Sequence, residues 1–169
     1  NAAHAGDPGK PLAALIEIDQ AQGGSLDFAG GHGHDAILGQ NSYKPLYDKT
    51  SIITIVKTPG PINQTTRFYI NGKLAGPLPG NTLEGRDTIP DIQHREDVGV
   101  FLGKALGWSG AIQGDVGEVL LYNSALPDAQ RLAVEAYLGQ KYGLWIDKDR
   151  MVVKKSVYTD EEKKHWAYQ

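Results

Sequence analysis

The chain has 169 residues, 40% of them hydrophobic and 22% charged, which is enough for one domain with a proper core and too little for two large ones. A net charge of −3 offers no basic field to nucleic acid or anionic lipid, and no apolar run approaches the roughly 18 residues of a membrane span. Cysteine is absent, which excludes disulfides, thiolate zinc sites, cysteine nucleophiles and CxxCH haem attachment within this segment. The opening stretch, NAAHAGDPGK, lacks the basic and apolar regions of a signal peptide and has no initiator methionine, so it reads as a mature or internally cut end.

Glycine (21) and proline (9) are spread along the chain, as short strands joined by turns require. LAALIEI (12–18) and GSLDFAG (24–30) read as two strands separated by a Gln/Gly turn, with Leu26 and Phe28 on one face and Ser25 and Asp27 on the other. SIITIVK (51–57) is β-branched and apolar on both faces, the pattern of a central strand covered on both sides. Asn63-Gln64-Thr65 has the form of a glycosylation sequon, and an incidental match is the favoured reading. RFYINGKLAG (67–76) predicts a tight hairpin, because Asn71-Gly72 tolerates the positive φ angles of a type I′ turn.

Residues 77–96 are polar and proline-bearing and read as an irregular surface loop, after which VGVFLGK (98–104) resumes strand character. GWSGAIQGDVGEVLLYN (107–123) holds a further strand, whose apolar parity runs Ile112, Gly114, Val116 and then switches to Val119, Leu121. A slip of one residue predicts a bulge near Gly117. SALPDAQRLAVEAYLGQKYG (124–143) predicts the one clear helix, with Pro127 and Asp128 in the first turn and Gly143 just past the last. Leu132, Val134, Tyr137, Leu138 and Tyr142 approximate one apolar stripe, which places the helix against a sheet or its edge. The remaining residues, 147–169, form a charged tail or linker, so 1–146 is the expected domain.

Two of these stretches carry a family resemblance. RFYINGKLAG resembles the "lYvNGklvg" hairpin of laminin-G-like domains, and WSGAIQGDVGEVLLYNSALPDAQRLAVEAYLGQKYGL is similar to their closing strand, "YN" turn and capped helix. The match covers roughly residues 50–144. It implies an all-β, concanavalin A-like jelly roll: two antiparallel sheets packed face to face, with one C-terminal helix. SLDFAGGHGHDAIL matches the family's opening strand in part, and no counterpart of its tryptophan-bearing strand precedes SIITIVK. Either the domain is compact or this chain is the later part of a longer one, in which case a partner segment would complete the sandwich. The tail, YTDEEKKHWAYQ, resembles a "ftdeerkhWAFQP" junction in large secreted planctomycete proteins with cytochrome-like neighbours. That resemblance implies an extracytoplasmic location (periplasmic, cell-surface or secreted) and a docking or linking role for Tyr158, Trp166 and Tyr168, with any haem held by a neighbouring domain.

Within such a jelly roll the candidate sites are few. Laminarinase-like hydrolases on this fold carry E-[I/L]-D-x-x-E, and EIDQAQ supplies Glu17 and Asp19 but Gln22 in place of the second carboxylate. Glutamine can be neither the acid nor the nucleophile of retaining hydrolysis. In GGHGHD, His32 and His34 would share one face of an extended strand, and Asp35 the other. Two ligands from one loop do not make a metal site, and His94 is the only other interior histidine, so a glycine-rich rim connection is the favoured reading.

Calcium, which some laminin-G-like domains bind, finds oxygen ligands in Asp87, Asp91, Glu96 and Asp97, at no diagnostic spacing. Asp115 and Glu118 occupy positions where the family has acidic residues and suit a hydrogen-bond network equally well. Trp108 can stack on a sugar ring or pack structurally; Tyr43 and Tyr47 carry no stronger signal. No nucleophile elbow, Walker loop or dinucleotide loop is present. The expectation is therefore a non-catalytic binding or assembly module for a glycan or protein ligand, with no cofactor in this chain apart from an optional calcium ion. Ligand contacts are expected at Trp108, His32, His34 and Asp35. The alternatives are a structural subunit docked onto a cytochrome or redox complex, and a degenerate glycoside hydrolase.

Overall fold

The computed structural model describes residues 16–19, 25–28, 36–39, 41–83, 91–92 and 113–144. These form two small antiparallel sheets and one main helix. The first sheet has the order β1-β2-β3, from Ile16–Asp19, Ser25–Phe28 and Ala36–Ile37. β1 and β2 pair Ile16 with Phe28 and Asp19 with Ser25, which is the hairpin that the Gln/Gly turn predicts. Alternation along β2 sends Leu26 and Phe28 into the core. Beyond the short β3 the chain stays tied to β2, because the Leu38 amide donates to the Leu26 carbonyl (3.0 Å) and the Leu26 amide to Ser42 Oγ (2.9 Å).

The second sheet has the order β4-β5-β6, from Ile53–Lys57, Thr66–Ile70 and Lys73–Gly76. Its pattern predicts β4 as a central strand, yet among the described residues β4 is an edge of this sheet, half-buried along its length. The centre is β5, whose Phe68 is fully buried. Burying such a ring contributes about 1.5–3 kcal/mol. β5 and β6 are joined by the predicted two-residue turn, with φ of 49° at Asn71 and 83° at Gly72, as the right-handed twist of the flanking strands favours. Asn71 also clips the turn to the start of β4: its amide donates to the Ile52 carbonyl (2.9 Å), and its Oδ1 accepts from the Ile52 amide (2.8 Å).

A single helical turn, α1 (Ile62–Thr65), bridges β4 and β5. Pro61 precedes it, and Ile62 drops into the core. The Asn63 side chain is 1% exposed, so in the folded chain the sequon is closed to a glycosyltransferase. One cluster gathers side chains of both sheets: Leu26, Phe28 and Ala36 from the first, Phe68 from the second, together with Ile62 and Leu83. Leu83 enters it because its amide donates to the Asn63 carbonyl (2.8 Å), so the expected surface loop after residue 77 dips into the core there. Gly76 allows a close approach between the sheets, since a Cβ built on it would lie 2.9 Å from Leu38 Cδ1.

The main helix, α2, spans Asp128–Lys141. Pro127 stands at its N-cap, Asp128 and Lys141 complement the dipole at the two ends, and Gly143 turns the chain at φ 66°. The Leu144 amide reaching back to the Gly139 carbonyl (2.8 Å) gives this end the bond of a Schellman cap. The buried face of α2 differs from the apolar stripe. Arg131, Glu135 and Gly139 are buried, whereas Tyr137 and Tyr142 are exposed. The reason is a charge pair. Arg131 Nη1 donates to both Glu135 oxygens, at 2.9 and 2.8 Å, and the guanidinium carbon lies 3.7 Å above the Tyr69 ring of β5. A planar cation can satisfy a carboxylate in its plane while its face rests on an aromatic ring, which a leucine at this position could not do.

Candidate functional site

Docking the first half of α2 on β5 leaves its last turn free to hold the preceding chain. Three contacts do so. Lys141 Nζ pairs with Glu118 Oε2 at 3.0 Å, the Tyr142 hydroxyl donates to the same oxygen at 3.3 Å, and the Tyr142 ring lies against Gly117. A Cβ on Gly117 would meet that ring at 3.1 Å, so glycine is what permits the approach. The Lys141 ammonium also lies 5.5 Å from the Tyr137 ring centre and 5.6 Å from that of Tyr142. The hydrogen bond that Lys141 donates to Glu118, followed by that with Tyr137, raises the Lys141 pKa above its ordinary value. Glu118 thus serves a hydrogen-bond network, one of the two roles open to it from sequence.

Held at Gly117 and Glu118, residues 113–125 are exposed throughout. They join neither sheet, so the strand expected here is not formed within this described stretch. Val116, Val119, Leu120, Leu121 and Tyr122 therefore face solvent, with Leu121 79% exposed. Four consecutive apolar side chains (119–122), with Tyr137 exposed on α2 and Tyr142 exposed just past its end, are an unusual display for a protein surface in water. The aromatic content is what protein interfaces concentrate. The two acidic residues of this segment differ in their surroundings. Glu118 is committed to Lys141 and Tyr142, and Asp115 is exposed.

The other acidic candidates divide differently. Asp91 is bound to the end of β4: Oδ1 accepts from Lys57 Nζ and Oδ2 from the Gly60 amide, each at 2.6 Å. The Lys57 hydrogen bond, aided by that amide and opposed by desolvation, holds its carboxyl below the ordinary carboxylate value. Each Asp91 oxygen thus accepts a hydrogen bond, one from an ammonium and one from an amide. Among the described residues no group of three or more His, Asp or Glu is arranged to hold a metal; Asp87, Glu96 and Asp97 lie outside them.

On β1, Glu17 pairs with Asp27 and Asp19 with Ser25. The register thereby sets a second acidic residue across from position 17, which the E-x-D-x-x-E pattern does not reveal. Asp27, however, is 1% exposed and closed to a sugar. Tyr43 and Tyr47 meet edge to face with ring centres 5.6 Å apart, Tyr43 against the core and Tyr47 exposed. Trp108, His32, His34, Asp35, His94, Gln22, Tyr158, Trp166 and Tyr168 lie outside the described residues.

No family model matches the chain, and neither a curated protein nor a solved structure matches it.

Proposed function

We propose that this chain is a non-catalytic recognition or assembly module of an extracytoplasmic protein, built as a laminin-G-like jelly-roll sandwich and binding a protein partner through residues 116–122. The run of exposed valine, leucine and tyrosine side chains on that segment carries the reading. Aliphatic side chains on both sides of a segment suit a covering strand or side chains of another protein, whereas a glycan needs polar groups to meet its hydroxyls. The sandwich is supported by the two antiparallel sheets and their shared cluster, together with the resemblance of residues 50–144 to laminin-G-like domains.

The test is to isolate the chain with its partner from the native source and measure binding of the purified partner to the chain and to its Leu121→Asp variant by calorimetry. Burying one exposed leucine is worth about 1.5–3 kcal/mol, so binding should weaken roughly ten- to a hundredfold or more. Equal affinity for the variant removes segment 116–122 from the interface. Binding on a polysaccharide array that survives Leu121→Asp would point instead to a glycan ligand held elsewhere.

A further inference from the structure

The turn that joins β5 to β6 contains the only Asn-Gly pair in the chain. This is the dipeptide in which the backbone nitrogen most readily attacks the preceding side-chain amide, because glycine puts no side chain in the way. We infer that Asn71 is a latent site of spontaneous deamidation which the native hairpin holds closed, so that modification marks chains in which the hairpin has opened.

The reaction needs only water. The Gly72 backbone nitrogen gives up its proton and bonds to Asn71 Cγ, the Cγ–Nδ2 bond breaks, and ammonia leaves. Water then opens the succinimide at either carbonyl, giving aspartate or isoaspartate at position 71. To close that ring, the Asn71 side chain must swing toward its own following peptide. In the fold it is directed elsewhere: Oδ1 accepts from the Ile52 amide at 2.8 Å, and the Asn71 amide is bound to the Ile52 carbonyl at 2.9 Å. The pairs on either side of the turn, Ile70 with Lys73 and Tyr69 with Leu74, fix the peptide that would be the nucleophile. Asn71 sits at φ 49° within this clamp. Ring closure therefore waits for the hairpin to separate from β4, an opening whose free energy sets the rate.

The two products differ in consequence. Aspartate leaves an oxygen to accept from the Ile52 amide. Isoaspartate routes the backbone through Cβ and lengthens it by one carbon, which a two-residue turn cannot absorb without losing the pairing that places Phe68 in the core. Modification in an opened chain therefore hinders its return to the native hairpin.

The experiment incubates the full chain at mildly alkaline pH with and without concentrated urea, then digests it and follows amide-to-acid conversion by mass. Asn123-Ser124, in the exposed segment, is the internal reference. Conversion at Asn71 should be slower in the native chain by about tenfold or more, the ratio that an opening free energy of about 1.4 kcal/mol imposes, while Asn123 changes little. An equal or faster native rate at Asn71 would overturn the inference and mean that the Ile52 amide activates the side-chain carbonyl. Equal suppression at Asn71 and Asn123 would overturn it too, by assigning the effect to the solvent.

Discussion

Replacing Glu135 with alanine should be among the most damaging single changes to α2, although the residue is charged and lies outside the apolar cluster. Its carboxylate is 1% exposed and takes both hydrogen bonds from Arg131 Nη1. Without it the guanidinium, whose side chain is 7% exposed, keeps among the described residues the face of Tyr69 and an Asp128 that is 79% exposed, at 3.2 Å. Breaking a buried ion pair from one side costs about 3–5 kcal/mol. The two surviving contacts set the expected loss at the lower end, about 3 kcal/mol, a large share of the roughly 5–15 kcal/mol that holds a domain folded. The double replacement Arg131→Met/Glu135→Leu removes both charges together and should recover most of the loss. Urea unfolding followed by far-ultraviolet circular dichroism at neutral pH measures all three chains. A loss below about 1 kcal/mol for Glu135→Ala, or a double variant as unstable as the single one, would refute the docking of α2 through this pair.

Three further outcomes follow from other contacts. Because the Asp91 pKa is lowered in the fold, its clasp on Lys57 and Gly60 stabilises fully above the ordinary value of 3.8 and is lost as pH falls through the depressed folded value. Thermal melts should accordingly show an advantage over Asp91→Asn at neutral pH that shrinks progressively in acid below 3.8, and an advantage independent of pH would contradict this. Gly76→Ala should cost about 1–3 kcal/mol in the same urea assay, since its Cβ would meet Leu38 at 2.9 Å with φ at 151°. Tyr142→Ala should free residues 113–127 from the helix end and hasten their proteolysis several-fold with the helical signal unchanged; an unaltered cleavage rate would show that Gly117 and Glu118 are not what the helix end holds.

What the sequence disclosed was local. The hairpin at Asn71-Gly72, the antiparallel pairing seen between Ile16–Asp19 and Ser25–Phe28, and both ends of α2 follow from turn and cap chemistry that acts over a few residues. Sheet order is a non-local property, and SIITIVK, with apolar residues on both faces, reads as central although Ile53–Lys57 lies at an edge among the described residues. The buried face of α2 was hidden for a related reason. Periodicity counts apolar residues, and Arg131 with Glu135 is polar until Tyr69 arrives from 62 residues away to cover the pair. In the candidate site, Glu118 was legible as a network residue, while Lys141 and Tyr142 were not, because nothing in the spacing of 118 and 141–142 announces that they meet. The apolar run from Val119 to Tyr122 misleads in one respect: VLLY reads as a strand, and the residues that give that reading are the ones exposed here.

Hydrogen exchange at the amides of residues 116–122 tests the central claim most directly, measured on the isolated chain and on the chain bound to its purified native partner. Fast exchange is expected in the isolated chain, where these residues join neither sheet, and strong protection in the complex. Protection already present in the isolated chain, or exchange that stays fast in the complex, would contradict a partner seated on this segment.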